Sequence, residues 1–235
     1  RVTPFGEIVA HSARYPPTSV VFGNRGVLHD GERNVVRQHA GRMWLACKLH
    51  VDRTRKVQRD DNRAFNGRKR VLMTPRRYTE LFFLDEATAM SAGHRPCACC
   101  RNDDFKRFMA TWARAHKRQE VWTAAAVDAV LHAERLTPAG GSKGTHPATL
   151  EELPNGVMVR LDGGDAWLVW HGELHRWSHH GYDARRAVAS VGGQTVVDVL
   201  TPRSLVSVLR AGFEPGPPHP SVCCEVAPAD APADA

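Results

Sequence analysis

The stretch Ala92-Gly93-His94-Arg95-Pro96-Cys97-Ala98-Cys99-Cys100-Arg101 decides the local fold of this chain and the chemistry that it carries. Gly93 ends a helical run, and Pro96 opens a tight turn in which Cys97 and Cys100 stand three residues apart. Two thiolates at this spacing hold one face of a tetrahedral metal ion such as Zn²⁺. One pair supplies half of a structural site, so further ligands must come from other segments.

The segments on either side of this turn predict a mixture of strands and helices. Residues 81–84 are typical of a short buried strand, and Asp85 caps the helix that follows. Downstream, apolar side chains recur at helical spacing over 105–112, which predicts a helix that packs into a core. Upstream, the apolar stretch 43–51 predicts a strand that carries Cys47.

After a glycine-rich linker at 140–144, the sequence becomes typical of β-structure, with strands predicted over 157–161 and 166–170 around a hairpin turn. We therefore predict an α+β fold, in which a zinc-knuckle domain with packed helices precedes a small β-rich domain. The predicted boundaries are 1–40 for an extended N-terminal segment, 41–136 for the zinc-knuckle and helical domain, 150–213 for the β-rich domain and 214–235 for a disordered tail.

The run 81–103 resembles the second half of the metal-binding module of the Ada DNA-repair family. In that family a strand, a short helix and an Ala-Gly-aromatic-Arg-Pro-Cys-x-x-Cys-Arg turn follow one another in the order seen here, and His94 stands where the aromatic residue is usual. The resemblance implies that Cys97 and Cys100 are zinc ligands and that Cys47 is a third.

The chain departs from that module in its first half. The family carries two cysteines four residues apart there, and one of them accepts a methyl group from DNA phosphotriesters. Here only Cys47 is present, and about twenty more residues separate it from the turn. His50 and Cys99 are the alternatives for the missing ligand. The resemblance therefore favours a zinc site more than it favours methyl transfer.

A second pattern, His132-Ala133-Glu134, predicts a different chemistry. Zinc deaminases combine a His-x-Glu with a Pro-Cys-x-x-Cys, and the glutamate transfers protons to and from a zinc-activated water. Both patterns occur in this chain, in reversed order. His132 is thus a candidate metal ligand and Glu134 a candidate catalytic residue of a hydrolase or deaminase-like enzyme. The alternative is that both lie on the surface of a helix.

Four histidines of the C-terminal half cluster in sequence around two tryptophans, and they predict either a second metal site or exposed strand and loop residues. They are His171, His175, His179 and His180. Cys223 and Cys224 fall in the predicted tail, where we expect no function.

The net charge of +7 is concentrated in one segment. Residues 53–77 have a net charge of +8, because this segment contains ten basic and two acidic residues. Clustered Lys and Arg neutralise phosphates, so the segment predicts contact with nucleic acid, and the alternative is a solvated charged loop. The candidate phosphate-binding residues are Arg53, Arg55, Lys56, Arg59, Arg68, Lys69, Arg70, Arg76 and Arg77.

Composition narrows the class of protein. No apolar run approaches the roughly 18 residues of a membrane span, so we expect no membrane partner. Six cysteines among 235 residues are sparse for a disulfide scaffold, and the first residues show no signal-peptide pattern. We therefore expect a cytoplasmic zinc protein that contacts nucleic acid, with repair or processing of DNA as its candidate role. The alternatives are the deaminase-like enzyme and a structural zinc protein with a small-molecule pocket.

Overall fold

The computed structural model describes residues 1–10, 21–49, 72–117, 121–137 and 141–223, which form a mixed α+β fold with two sheets, as the sequence predicted. The strands are β1 (Val21–Asn24), β2 (Leu45–Cys47), β3 (Leu81–Phe83), β4 (Arg95–Pro96), β5 (His146–Thr149), β6 (Met158–Leu161), β7 (Asp165–Trp170), β8 (Glu173–Ser178), β9 (Gly181–Ala187) and β10 (Val196–Val199). The helices are α1 (Glu86–Ser91), α2 (Asn102–Ala115), α3 (Ala124–Arg135), α4 (Val188–Val191) and α5 (Arg203–Arg210). Within this part of the chain, no helix is long and apolar enough to cross a membrane.

The first sheet has the strand order β3-β1-β2-β4. Its strands pair antiparallel except β2 and β4, which run parallel with Leu45 opposite Arg95 and Ala46 opposite Pro96. Parallel strands end at the same edge of a sheet, so the residues directly after Ala46 and Pro96 lie side by side. These residues are Cys47 and Cys97.

The second sheet has six antiparallel strands in the order β5-β10-β6-β7-β8-β9. The predicted hairpin is confirmed, since β6 and β7 pair around a turn in which Gly163 has a φ of 71°. The largest apolar cluster joins this sheet to α2, α3 and α5, and Trp112 and Trp167 are among its largest buried side chains.

Helix α1 packs between the two sheets, so all six of its residues are buried. Ala87 packs in a cluster with the six-stranded sheet, and Ala89 packs in a cluster with the four-stranded one. The Asp85 carboxylate caps α1 by accepting from the Thr88 amide at 2.9 Å, and it also accepts from the Tyr182 hydroxyl at 2.9 Å. The two predicted parts of the chain therefore share a buried helix and its cap.

Residues 214–223 pack against the body of the protein, although the sequence placed them in a tail. The His219 amide donates to Asp85 at 3.1 Å, the Gly216 amide donates to Glu86 at 2.7 Å, and Val222 is buried. A proline-rich segment needs no strand or helix of its own when buried carboxylates accept its amides. The rest of the predicted tail, with Cys224, lies outside the described residues.

Candidate metal centre

The structure brings Cys47 to the two turn cysteines, so that the Sγ atoms of Cys47, Cys97 and Cys100 all lie within 4.8 Å of one another. Cys47 and Cys97 are buried, and Cys100 is half-buried. Thiolates on a tetrahedral zinc with Zn–S bonds of about 2.3 Å are about 3.8 Å apart. A small rotation of these side chains would therefore complete three corners of a metal site.

Strand pairing explains how residues 50 positions apart reach one another. The Cys97 amide donates to the Ala46 carbonyl at 3.0 Å, which continues the β2–β4 ladder to the edge of the sheet. The chain then turns, and the Arg101 amide donates to the Cys97 carbonyl at 3.0 Å just before α2 begins. Cys100 is thereby folded back beside Cys97.

Backbone amides point at the sulfur atoms. The Cys99 amide lies 3.4 Å from the Cys97 Sγ, and the Lys48 amide lies 3.4 Å from the Cys100 Sγ. Hydrogen bonds from the Cys100 and Cys47 thiols, together with the backbone amides of Cys100 and Cys99, lower the pKa of Cys97. The same thiol contacts, and burial, raise the pKa of Cys47. The group thus favours a thiolate at Cys97, and a bound metal would replace the remaining protons.

Two buried ion pairs fix the turn at both ends. Arg95, two residues before Cys97, donates to both Asp128 oxygens on α3 at 2.8 and 2.7 Å. Arg101, directly after Cys100, pairs with Glu86 of α1 at 2.8 Å. Bidentate pairs of this kind restrict orientation as well as distance, so the cysteines are held before any metal binds.

A fourth ligand is not part of this group among the described residues. Cys99 is exposed and stands outside the group, and His50 lies outside the described residues. The fourth corner of a tetrahedral site would therefore be filled by His50, by a rearranged Cys99 or by a small molecule such as water.

The deaminase-like pattern is not assembled at the cysteines. The Glu134 carboxylate accepts from the Ser204 amide at 2.9 Å and from the Ser204 hydroxyl at 2.6 Å, which places it at the N-terminal end of α5. The His132 ring contacts the His39 ring with centroids 5.1 Å apart, and its Nδ1 lies 3.0 Å from Arg135. Neither side chain belongs to the group of metal-ligand atoms.

Only two of the candidate phosphate-binding residues lie in the described part of the chain. Arg76 and Arg77 are exposed in a turn, where Arg76 has a φ of 64°. The other seven lie outside the described residues: Arg53, Arg55, Lys56, Arg59, Arg68, Lys69 and Arg70.

The C-terminal histidines form no group of three or more metal-ligand atoms in the part of the chain that the structure describes. His175 is buried, and its Nε2 lies 3.5 Å from Glu173 on the same strand. His171 and His180 are on turns that flank β8. The expectation of a second metal site therefore gains no support from the described geometry.

Sequence reasoning missed a second polar centre, at the opposite end of β2 and β4. The Cζ atoms of Arg25 and Arg135 lie 3.8 and 3.7 Å from the centroid of the Trp44 ring, and the His94 ring accepts from Arg25 at 2.9 Å. These residues come from four separate segments with no shared motif. The one local signal was His94, which occupies an aromatic position of the Ada-like turn.

Comparisons of this chain with protein-family models, with curated proteins and with solved structures find no match. Function is therefore inferred from the cysteine group and from the placement of charge.

Proposed function

We propose that this protein binds zinc through Cys47, Cys97 and Cys100 and contacts nucleic acid through the basic segment 53–77. The observation that carries the proposal is the grouping of three sulfur atoms within 4.8 Å, on a turn that is already fixed by buried ion pairs. Sulfur ligands in tetrahedral geometry select zinc over magnesium or calcium, which prefer oxygen.

The nucleic-acid part of the proposal is supported by where the basic segment is attached. Lys48 contacts the metal centre through its backbone amide, and the +8 segment begins five residues later. The segment ends at the exposed side chains of Arg76 and Arg77. Zinc would thus fix the backbone at Lys48, five residues before the segment begins, and a polyanion would neutralise the charge of the segment.

The resemblance to the Ada module supports the same combination of a zinc site with DNA contact. Methyl transfer is not part of the proposal, because one of the two cysteines in the first half of that module is missing here. Hydrolysis at zinc has no support either, since Glu134 is engaged with Ser204. A binding role, with zinc as an organising element, fits the described geometry best.

The test measures zinc content and nucleic-acid affinity in the same preparations. Wild type should carry about one zinc per chain, by elemental analysis, and bind labelled single- or double-stranded oligonucleotides at low salt. The double variant Cys97→Ser/Cys100→Ser should lose the metal and bind at least tenfold more weakly, whereas the exposed Cys223→Ser control should match wild type. If purified wild type contains no zinc, the proposed metal centre is refuted. If zinc-loaded protein does not bind the oligonucleotides, the proposed nucleic-acid role is refuted.

A further inference from the structure

Two buried guanidinium groups stack on one tryptophan ring at the end of β2 that is distant from Cys47. Arg25 and Arg135 are each only 1% exposed, and their Cζ atoms both lie within 3.8 Å of the Trp44 centroid. One face of a ring has no room for two guanidinium groups at that distance, so they occupy opposite faces. Cation–π contact stabilises each of them without adding a negative charge, and the Asp128 carboxylate offsets the charge of Arg135 only in part, since burial still lowers the pKa of Arg135 to about 9.

Neutral groups supply the other contacts of both arginines. Arg25 donates to the His94 Nε2 at 2.9 Å and to the Gly6 carbonyl at 2.8 Å. Arg135 donates to the Gly93 carbonyl at 3.0 Å. Within the described residues, no carboxylate pairs with either arginine. A buried charge without a partner is costly, so this arrangement is incomplete without an anion.

A third cation, half-buried Lys143, lies close by. The Lys143 ammonium group donates to the Ser91 carbonyl, and burial together with the charges of Arg25 and Arg135 lowers the pKa of Lys143 to about 7. Burial and the charge of Arg135 also lower the pKa of Arg25. The charges of the three groups therefore repel one another, in addition to the cost of burying each of them.

A cavity of about 240 Å³ opens onto this stack. Arg25, Trp44 and Arg135 line it together with Gln38 and His39. The Nη2 atom of Arg25 and the Nε atom of Arg135 are buried, and neither has a hydrogen-bond partner among the described residues. Buried donors without a partner are rare in folded proteins, and here both belong to residues that line a cavity, which suggests that an acceptor binds there.

The rim of the cavity does not supply that acceptor. Glu7 lines the rim as an exposed residue, and it pairs with neither arginine in the described structure. Gln38 is exposed, and its backbone carbonyl accepts a long hydrogen bond of 3.4 Å from Arg25. Among the described residues, no side chain therefore supplies the acceptor.

We propose that this cavity binds a small oxyanion, a phosphate or carboxylate group of a small molecule, through the free guanidinium nitrogens of Arg25 and Arg135. Planar guanidinium donors match the oxygens of both groups, and the cavity volume suits a ligand of a few heavy atoms. Trp44 is covered on both faces and offers no surface for a nucleobase. The cavity is also distinct from the cysteine group, because Trp44 directly precedes β2 whereas Cys47 is its last residue, and no cysteine lines the cavity.

The experiment uses the full, metal-loaded chain and compares sodium phosphate, glycerol phosphate and sodium succinate with sodium chloride at equal ionic strength. Titration calorimetry should give one saturable site per chain for at least one oxyanion, and that oxyanion should raise the melting temperature above the chloride value. Binding of the two phosphates alone identifies a phosphate pocket, and binding of succinate alone identifies a carboxylate pocket. No saturable binding of any oxyanion would overturn the proposal.

Two variants locate the binding. Gln38→Glu places a carboxylate at an exposed position on the cavity wall, so it should fold, raise the melting temperature in chloride and weaken oxyanion binding at least tenfold. Its matched control is Asn155→Asp, which makes the same amide-to-acid change at an exposed position three residues before β6, outside the residues that line the cavity. Arg25→Lys keeps the charge and loses the planar donors, and it should weaken binding by a similar factor. Wild-type affinity in Gln38→Glu would place the binding elsewhere and refute the proposal.

Discussion

The backbone amide of Lys48 donates a hydrogen bond of 3.4 Å to the Sγ atom of Cys100, which is 52 residues further along the chain. The bond joins the last described residues before the basic segment to the cysteine turn. Because Cys47 is the preceding residue, the end of β2 meets the turn through both a side chain and a backbone amide. The cysteine group is therefore built by long-range pairing, and each of its members can be tested separately.

The first prediction concerns the third ligand. Cys47→Ser should release zinc as completely as Cys97→Ser does, because three thiolates bind zinc far more tightly than two. Cys99→Ser, at an exposed position outside the group, should keep the metal. Zinc content and retention against a chelator distinguish the two outcomes. Metal loss in Cys99→Ser would instead identify Cys99 as the fourth ligand.

The second prediction concerns the ion pair between Arg95 and Asp128. Asp128→Ala should lower the free energy of unfolding by about 3–5 kcal/mol, because it leaves a buried guanidinium without its partner. The control is Asp198→Ala, which removes the partner of the exposed Arg160 and should cost less than about 1 kcal/mol. Urea unfolding measures both. Equal costs would contradict a specific role for the buried pair.

Local patterns predicted the elements of the fold well. Asp85 as a cap, Gly93 as a helix end with a φ of 87° and the hairpin at Gly163 each follow from backbone chemistry within a few residues. The turn from Cys97 to Cys100 could likewise be predicted, because the spacing of the two cysteines is visible in the local sequence. The sequence did not show which distant segments contact one another.

The stack of Arg25, Trp44 and Arg135 is the clearest example of that gap. Each residue, taken alone, is typical of a surface or a strand. The pairing of Asn24 with Leu45 brings Arg25 beside Trp44, and Arg135 reaches the same ring from the end of α3. Glu134 illustrates the opposite error, since a three-residue pattern suggested catalysis where the side chain binds the end of a helix. Short motifs carry chemistry only when tertiary contacts confirm their geometry.

The third prediction follows from that contact of Glu134. Glu134→Gln keeps one acceptor for Ser204 and loses the negative charge at the N-terminal end of α5, so it should lower the free energy of unfolding by about 1 kcal/mol. Zinc content and nucleic-acid binding should stay unchanged. Loss of a hydrolytic activity, with stability intact, would instead restore the deaminase-like interpretation.

The fourth prediction concerns the +8 segment. Nucleic-acid binding releases counterions, so log affinity should fall linearly with log salt concentration. Neutralising Arg68, Lys69 and Arg70 together should reduce that slope by up to about three units, with little dependence on base sequence. The matched control neutralises three exposed arginines elsewhere, Arg107, Arg160 and Arg203. An equal change of slope in both triple variants would show that charge placement does not matter.

The last prediction concerns the pH dependence of stability set by Lys143. Its folded pKa of about 7 lies below the unfolded value of 10.5, because burial and the charges of Arg25 and Arg135 oppose protonation. Between these two values the unfolded state holds a proton that the folded state has released, so the free energy of unfolding rises with pH there. Below pH 7 both states are protonated, and the folded protein carries the full cost of the buried charge.

Lys143→Met keeps an unbranched side chain that is one atom shorter, and it removes that cost. In chloride buffer without added oxyanion, the variant should be more stable than wild type by on the order of 3 kcal/mol at pH 6, and the advantage should shrink progressively through pH 8 and pH 10. Urea unfolding at the three pH values measures it. A difference that stays constant from pH 6 to pH 10 would mean that Lys143 is not buried among uncompensated cations, and the electrostatic account of this cavity would then fail.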